Sequence, residues 1–183
     1  MILGAHNVLT FGTPRTFWDY FCIPFAKCQS KGIKELFDLN VRCFDIRIRF
    51  DKNNVPYACH GLFKVKFNIL DLLLLKYCND VYIRLLLETS KADSRQEENF
   101  IKLVQCLRKM FPNIKFIELR RKFDWKRLIE PDCEEPKMIQ YVSSMAKDAK
   151  WYEKYVPYLY AKRMNKTNLN KEHDNCIVLY DFL

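Results

Sequence analysis

Glycine is scarce in this chain, with four in 183 residues, and no glycine-rich loop of the kind that wraps nucleotide phosphates can be drawn from them. The P-loop and dinucleotide-binding classes are thereby excluded. The eight cysteines contain no CxxC pair and no paired zinc spacing, which excludes a cysteine-held metal cluster and fits reduced thiols. The leucine-rich stretch of residues 69–75, interrupted by Asp71, falls far short of the ~20 apolar residues that a membrane span requires. No basic n-region followed by an apolar stretch and a cleavage site opens the chain. The expectation is an intracellular, cytoplasmic protein, at most peripheral to membranes. Repeats and low-complexity tracts are also missing.

What is present points to a globular enzyme-sized unit. Hydrophobic residues make up 49% and aromatics 15%, enough for a real core, so residues 1–183 are expected to form one domain. Lys plus Arg outnumber Asp plus Glu by 31 to 22, a net charge of +9, which favours an anionic partner such as a phosphate ester, an anionic membrane or nucleic acid and does not decide between them. The basic run Arg120, Arg121, Lys122, Lys126 and Arg127, interleaved with Phe123 and Trp125, reads as a solvated loop and helix start. No nucleic-acid partner is expected from it.

The chain is organised around residues 41–61, VRCFDIRIRFDKNNVPYACHG. On the strand period of two, Phe44, Ile46, Ile48 and Phe50 share one face, while Cys43, Asp45, Arg47 and Arg49 share the other. An ordinary solvated face carries such a pattern, and so does a polar site lined by a sheet. Residues 51–54 make a turn, and a short second run then delivers His60 beside Gly61.

Elsewhere, residues 1–5 read as a strand that ends on His6 and Asn7. Residues 11–28 pack Phe11, Phe17, Trp18, Tyr20, Phe21 and Phe25 into a loop-like segment, either buried on the core or exposed as an apolar rim. Residues 30–39 and 67–77 have helical spacing. Residues 81–88 form a buried strand ending on Glu88, and Ser94 with Glu97 reads as a capping box for the next helix. Strands follow at 114–119 and 138–142. Residues 151–163 are helical with a break at Pro157, His173 lies in an exposed polar loop, and residues 176–182 form a last strand with Asp181 near its end. Strands separated by helices imply an α/β domain with a mostly parallel sheet.

His6, Arg47, His60, Glu88 and Asp181 all fall at or near the C-terminal ends of these strands, where barrel-type α/β folds place their sites. Two histidines with an arginine and a carboxylate suit phosphodiester cleavage. One imidazole takes the proton of the attacking hydroxyl and the other protonates the leaving oxygen, while the guanidinium holds the non-bridging oxygens.

The sequence His6-Asn7, then Arg42-Cys43-Phe44-Asp45-Ile46-Arg47, then His60-Gly61 resembles the X region of phosphatidylinositol-specific phospholipases C, a family of distorted (β/α)8 barrels, and is more similar to the bacterial branch. The resemblance implies that His6 is the general base, Arg47 the phosphate-binding arginine and His60 the general acid. Asp45 lies in their polar network, and Asp181 orients His6. It implies substrate contacts by Asn7 and Glu88 and cleavage of an inositol phospholipid to diacylglycerol and a cyclic inositol phosphate. The aromatic segment that directly follows His6 is expected at the rim of the mouth, with Phe17, Trp18 and Phe21 in contact with membrane, and the protein is expected to be a monomer.

Arg47 stands where the calcium-dependent branch has a carboxylate, so no metal or other cofactor is expected. Asn7 and Glu88 resemble that branch and leave calcium as the weaker alternative. The resemblance covers roughly residues 1–90 and the last strand. A glycerophosphodiester phosphodiesterase and a non-catalytic lipid-binding barrel are the other readings. At 183 residues the chain is short for such a barrel, so trimmed helices or a missing strand are expected.

Overall fold

The computed structural model describes residues 1–89, 93–119, 136–144 and 146–183. The basic run between Arg120 and Arg127 lies outside the described residues.

Eight strands form one sheet: β1 (Ile2–Ala5), β2 (Cys43–Phe50), β3 (Pro56–His60), β4 (Phe63–Lys66), β5 (Tyr82–Leu87), β6 (Lys115–Leu119), β7 (Lys137–Tyr141) and β8 (Cys176–Tyr180). The helices are α1 (Asp19–Ala26), α2 (Ile33–Asp38), α3 (Ser94–Met110) and α4 (Pro157–Leu169), with 3-10 turns at Val8–Phe11 and Ile69–Tyr77. Six strands run parallel in the order β6-β5-β2-β1-β8-β7. The hairpin β3–β4 adds to the upper part of β2 in antiparallel register, Ile48 opposite Ala58. Among the described residues β6 pairs only with β5 and β7 only with β8. The result is a mixed α/β fold whose sheet curls into a half-barrel of the distorted TIM type.

The two faces of β2 sort as their alternation demands. Phe44, Ile46, Ile48 and Phe50 join the large apolar core, with Leu36 of α2, Phe100, Val104 and Leu107 of α3, and Leu72 and Leu75 of the second 3-10 turn. Cys43 points into the curl, where Leu86, Ile117, Leu119, Met138, Ile177 and Leu179 form a smaller cluster. The strands approach closely there, since a Cβ on Gly4 would stand 2.5 Å from the Leu179 side chain. Above that apolar floor the inward positions become Asp45 and Arg47.

Several local expectations are corrected. Residues 69–77 form a 3-10 helix because Ile69, Leu72 and Leu75 repeat every three residues, its own period. The cap of α3 is Asp93, which accepts the Gln96 N–H, and not Ser94. Gln96 is thereby free to pair both backbone groups of Phe50, at 2.9 and 2.7 Å, fastening α3 to the end of β2. Pro157 starts α4 instead of breaking it, since the first turn needs no proline N–H, and that helix runs on to Leu169 through part of the expected loop. His173 is half-buried against the Tyr141 ring, with its Nε2 3.1 Å from the hydroxyl. The segment 11–28 contains a true helix, α1, despite Pro24. It is tied down by Asp19, which accepts from Thr16 N, Thr16 Oγ1 and the N–H of Lys64 in β4. Among the described residues no helix is long and apolar enough to cross a membrane.

Candidate active site

Parallel register builds the site. Ala5 pairs with Tyr180, so the next residue on each strand, His6 and Asp181, emerge side by side, and His6 Nδ1 lies 2.7 Å from Asp181 Oδ1. Asn7 adopts a left-handed φ of 43°, which turns its N–H onto Asp45 Oδ2 at 3.0 Å, while its side chain donates to the Cys59 carbonyl.

Asp45 pairs in register with Arg84 of β5, and the two side chains meet at 2.9 Å with both residues essentially inaccessible. Burial alone would raise the Asp45 carboxyl. The guanidiniums of Arg84 and Arg47 outweigh it and hold the group well below the usual carboxylate range. An isolated buried charge of either sign is prohibitively costly, so the pair stands or falls together.

Arg47 is the hub. Its Nε lies 3.3 Å from Asp45 Oδ2 and its NH1 3.5 Å from Glu88 Oε2, while NH2 reaches His6 Nε2 at 2.5 Å. Burial works against its charge, but Asp45 and Glu88 more than compensate and raise it above an ordinary arginine. A guanidinium has no acceptor, so His6 Nε2 must accept from it. The His6 proton therefore sits on Nδ1 and is donated to Asp181.

His60 faces His6 across the site, with ring centroids 5.6 Å apart and planes at 89°. Its Nδ1 is 2.8 Å from the Ala26 carbonyl, an acceptor only, so Nδ1 carries the proton and Nε2 is left for chemistry. Cys28 Sγ stands 3.3 Å from the same nitrogen. Burial, then the Arg47 cation and His6, push the His60 imidazole down to about 4. The Cys28 thiol is pushed up by burial and by Asp181, and stays protonated.

The structure thus gathers His6, Asn7, Asp45, Arg47, His60, Glu88 and Asp181 into one cluster at the mouth of the curl. Two placements differ from the barrel-strand pattern. Arg47 lies inside β2, because that strand continues into the hairpin, and His60 ends the antiparallel β3. Arg84 was overlooked by sequence reasoning, although a lone charge in the apolar run of residues 81–87 signals a buried partner. Nothing in the sequence singled out the Ala26 carbonyl or Cys28.

Phe17, Trp18 and Phe21 are exposed at 71%, 75% and 62% and stack edge-on or tilted on one another at 5.6 to 6.0 Å. Of the two expectations for this segment, core or exposed rim, these rings take the second. A cavity of about 410 Å³ lined by Phe21, Phe25, Leu62 and Phe63 joins the rim to His60.

The site offers calcium a poor donor set. That ion asks for six to eight oxygen ligands, whereas the Arg47 guanidinium fills the space between Asp45 and Glu88. His6, Cys28 and Asp181 do present ligand atoms within 4.8 Å of one another, but their mixed nitrogen, sulfur and oxygen set suits a softer metal.

A half-barrel of parallel strands, trimmed of helices and bearing an inward polar cluster at its mouth, is the phospholipase C-like kind of distorted TIM fold. Among solved structures, a double mutant of the phosphatidylinositol-specific phospholipase C from S. aureus superposes with a TM-score of 0.64 at 15% identity, covering 99% of this chain and 84% of that one. At that identity the likeness is one of fold. No family model and no curated protein matches the sequence.

Proposed function

We propose that the protein is a metal-independent phosphodiesterase that cleaves an inositol phospholipid by histidine acid–base catalysis. The observation that carries this reading is the opposition of two imidazoles, each with Nδ1 blocked and Nε2 directed to chemistry, across a guanidinium that either a phosphate or His6 can engage. In the free protein Arg47 occupies the lone pair of His6. A bound phosphodiester draws the guanidinium onto two non-bridging oxygens, which a planar fork fits bidentately, and releases His6 Nε2.

His6 Nε2 then takes the proton of the inositol 2-hydroxyl. That oxygen bonds to phosphorus, the bond from phosphorus to the glycerol oxygen breaks, and His60 Nε2 protonates the leaving oxygen. The first products are a cyclic inositol phosphate and diacylglycerol. Asp181 stabilises the imidazolium formed on His6. His60 is neutral in the free site, so its Nε2 takes up a proton from solvent as the anionic substrate binds and offsets Arg47, and that proton is the one given to the leaving oxygen. The cation that an inositol phospholipase of another design takes from a metal is supplied here by Arg47.

The test is incubation of the purified protein with phosphatidylinositol vesicles, with and without a chelator, followed by phosphorus NMR. A cyclic phosphate that accumulates equally in both samples is expected. Consumption of lipid without a cyclic intermediate, or complete loss of activity in chelator, refutes the mechanism. Arg47→Lys should recover little of the turnover lost in Arg47→Ala, because a point charge does not replace the fork.

A further inference from the structure

Cys28 is a buried thiol that the acid–base chemistry leaves idle, and its surroundings are polar. Among the described residues it joins none of the apolar clusters. Its Sγ lies 3.3 Å from His60 Nδ1 and 3.5 Å from the Ala26 carbonyl, and Asp181 faces it as well. The backbone around it is clamped. The Cys28 N–H donates to Thr10 Oγ1 at 2.9 Å, and the Cys28 carbonyl accepts the Phe182 N–H at 2.7 Å. Gln29 then straps the ends of β1 and β8 together, donating through Nε2 to the His6 and Tyr180 carbonyls. The thiol is thereby fixed against the two residues that leave those strands, His6 and Asp181.

One ring nitrogen of His6, Cys28 Sγ and one carboxylate oxygen of Asp181 lie within 4.8 Å of one another, all three residues being buried. Nδ1 is the nitrogen on that side, since it lies 2.7 Å from Asp181 Oδ1, while Nε2 faces Arg47. Such a set supplies three of the four positions of a tetrahedral zinc site and leaves the fourth to water. No sequence spacing announces it, because His6 and Asp181 stand 175 residues apart. The charges also balance. A thiolate and a carboxylate cancel a divalent cation, so the filled site buries no net charge. The His60 ring, which touches Sγ, lines the cavity that opens on the aromatic rim, and this gives the ion a way in.

We propose that His6, Cys28 and Asp181 bind a thiophilic divalent cation of the zinc kind, and that the ion switches the phosphodiesterase off. The second half of the inference rests on the reading of His6 as the base. Binding displaces the thiol proton to solvent and takes the Nδ1 lone pair of His6. The single proton of that imidazole moves through water from Nδ1 to Nε2. Nothing is oxidised or reduced, and one proton leaves per ion bound. Nε2 is then a donor and no longer accepts the proton of the attacking hydroxyl. It also meets Arg47 donor to donor, which turns the guanidinium out and leaves it free to hold phosphate. The ion therefore stops the chemistry without closing the anion site.

Titration calorimetry of the whole chain with zinc chloride, in two buffers of different ionisation enthalpy, should give one ion bound and one proton released per chain at neutral pH. Cobalt in place of zinc should produce a thiolate-to-metal charge-transfer band in the near ultraviolet. Cys28→Ser should abolish the band and weaken zinc about a hundredfold or more, since loss of a group that merely supports a ligand already costs about 10–100-fold. Cys106→Ser, which alters an exposed thiol, should change neither. Ring-nitrogen NMR of the wild type reads the same event without a variant, as transfer of the His6 proton from Nδ1 to Nε2 on adding zinc. Saturating zinc should lower kcat on a water-soluble inositol phosphodiester about a hundredfold or more, the usual worth of a general base, with KM near its metal-free value and full recovery in chelator.

A cobalt band that survives Cys28→Ser, or a His6 tautomer that zinc does not move, overturns the metal site and leaves the base assignment as it was. Zinc bound with the expected signature but without loss of kcat overturns the switch and removes His6 as the base, while the metal site stands.

Discussion

His6 and His60 face one another edge to face at 5.6 Å, yet they are held by unlike partners, a buried carboxylate behind His6 and a backbone carbonyl behind His60. The asymmetry divides the two roles. Only His6 has a carboxylate hydrogen-bonded to its ring, which suits a base, and His60 holds a proton weakly, which suits a donor once an anion lies between them.

A titration follows from this pair. His60 should titrate at about 4 in the free protein, below the ordinary histidine value. It should move upward when inorganic phosphate occupies the site, and also in Arg47→Ala. Because the folded-state value is depressed, the unfolded chain binds more protons between about 4 and the ordinary value of ~6.5. Stability should therefore be full above that window and fall as pH drops through it. Histidine ring NMR against pH checks both statements, and a His60 that titrates at the ordinary value in the free protein contradicts them.

Asp181→Asn should fold normally and lose about 10³- to 10⁴-fold in turnover, since an amide favours the wrong His6 tautomer. The acidic limb of the pH–rate profile is the decisive readout. It should shift if Asp181 tunes His6, and it should stay in place if Asp181 only caps the backbone N–H of Ser143, which its other oxygen accepts at 3.3 Å.

The Asp45–Arg84 pair makes a prediction about stability. Arg84→Met leaves Asp45 with Arg47 as its remaining guanidinium and should cost about 3–5 kcal/mol. Asp45→Asn combined with Arg84→Met should recover a large part of that loss, because no uncompensated charge is left buried. Asp45 is held low in the folded state, so its contribution is present above the ordinary carboxylate value and lost as pH falls below about 4. Denaturant melts of the single and double variants at neutral and acidic pH measure each of these.

Trp18→Ala should weaken binding to phosphatidylinositol vesicles while leaving hydrolysis of a water-soluble inositol phosphodiester near wild type. Indole favours the water–lipid interface, and this ring is already three-quarters exposed, so its removal costs the fold little. Equal loss on both substrates, with a lower Tm, would show the ring acting through packing.

The amino-acid sequence determined what depends on near neighbours. The alternation of residues 43–50 dictated that Asp45 and Arg47 share a face. The run of Asp51 to Asn54 dictated the turn, now visible as Asp51 accepting from Asn53 and Val55. Placement of His6 and Asp181 at strand ends made their convergence legible, because parallel strands in a curled sheet bring their C-terminal ends to one rim. The tertiary structure alone decided which charges meet. Arg84 becomes the partner of Asp45 only through the β2–β5 register, and strand registers between segments far apart in the chain leave no local trace. His60 owes its tautomer to a carbonyl at the end of α1, a group every residue carries, so no residue type could announce it. Arg47 lies against His6 because β2, β1 and β5 close around it, and that distance is a property of the curl of the sheet and not of any stretch of sequence.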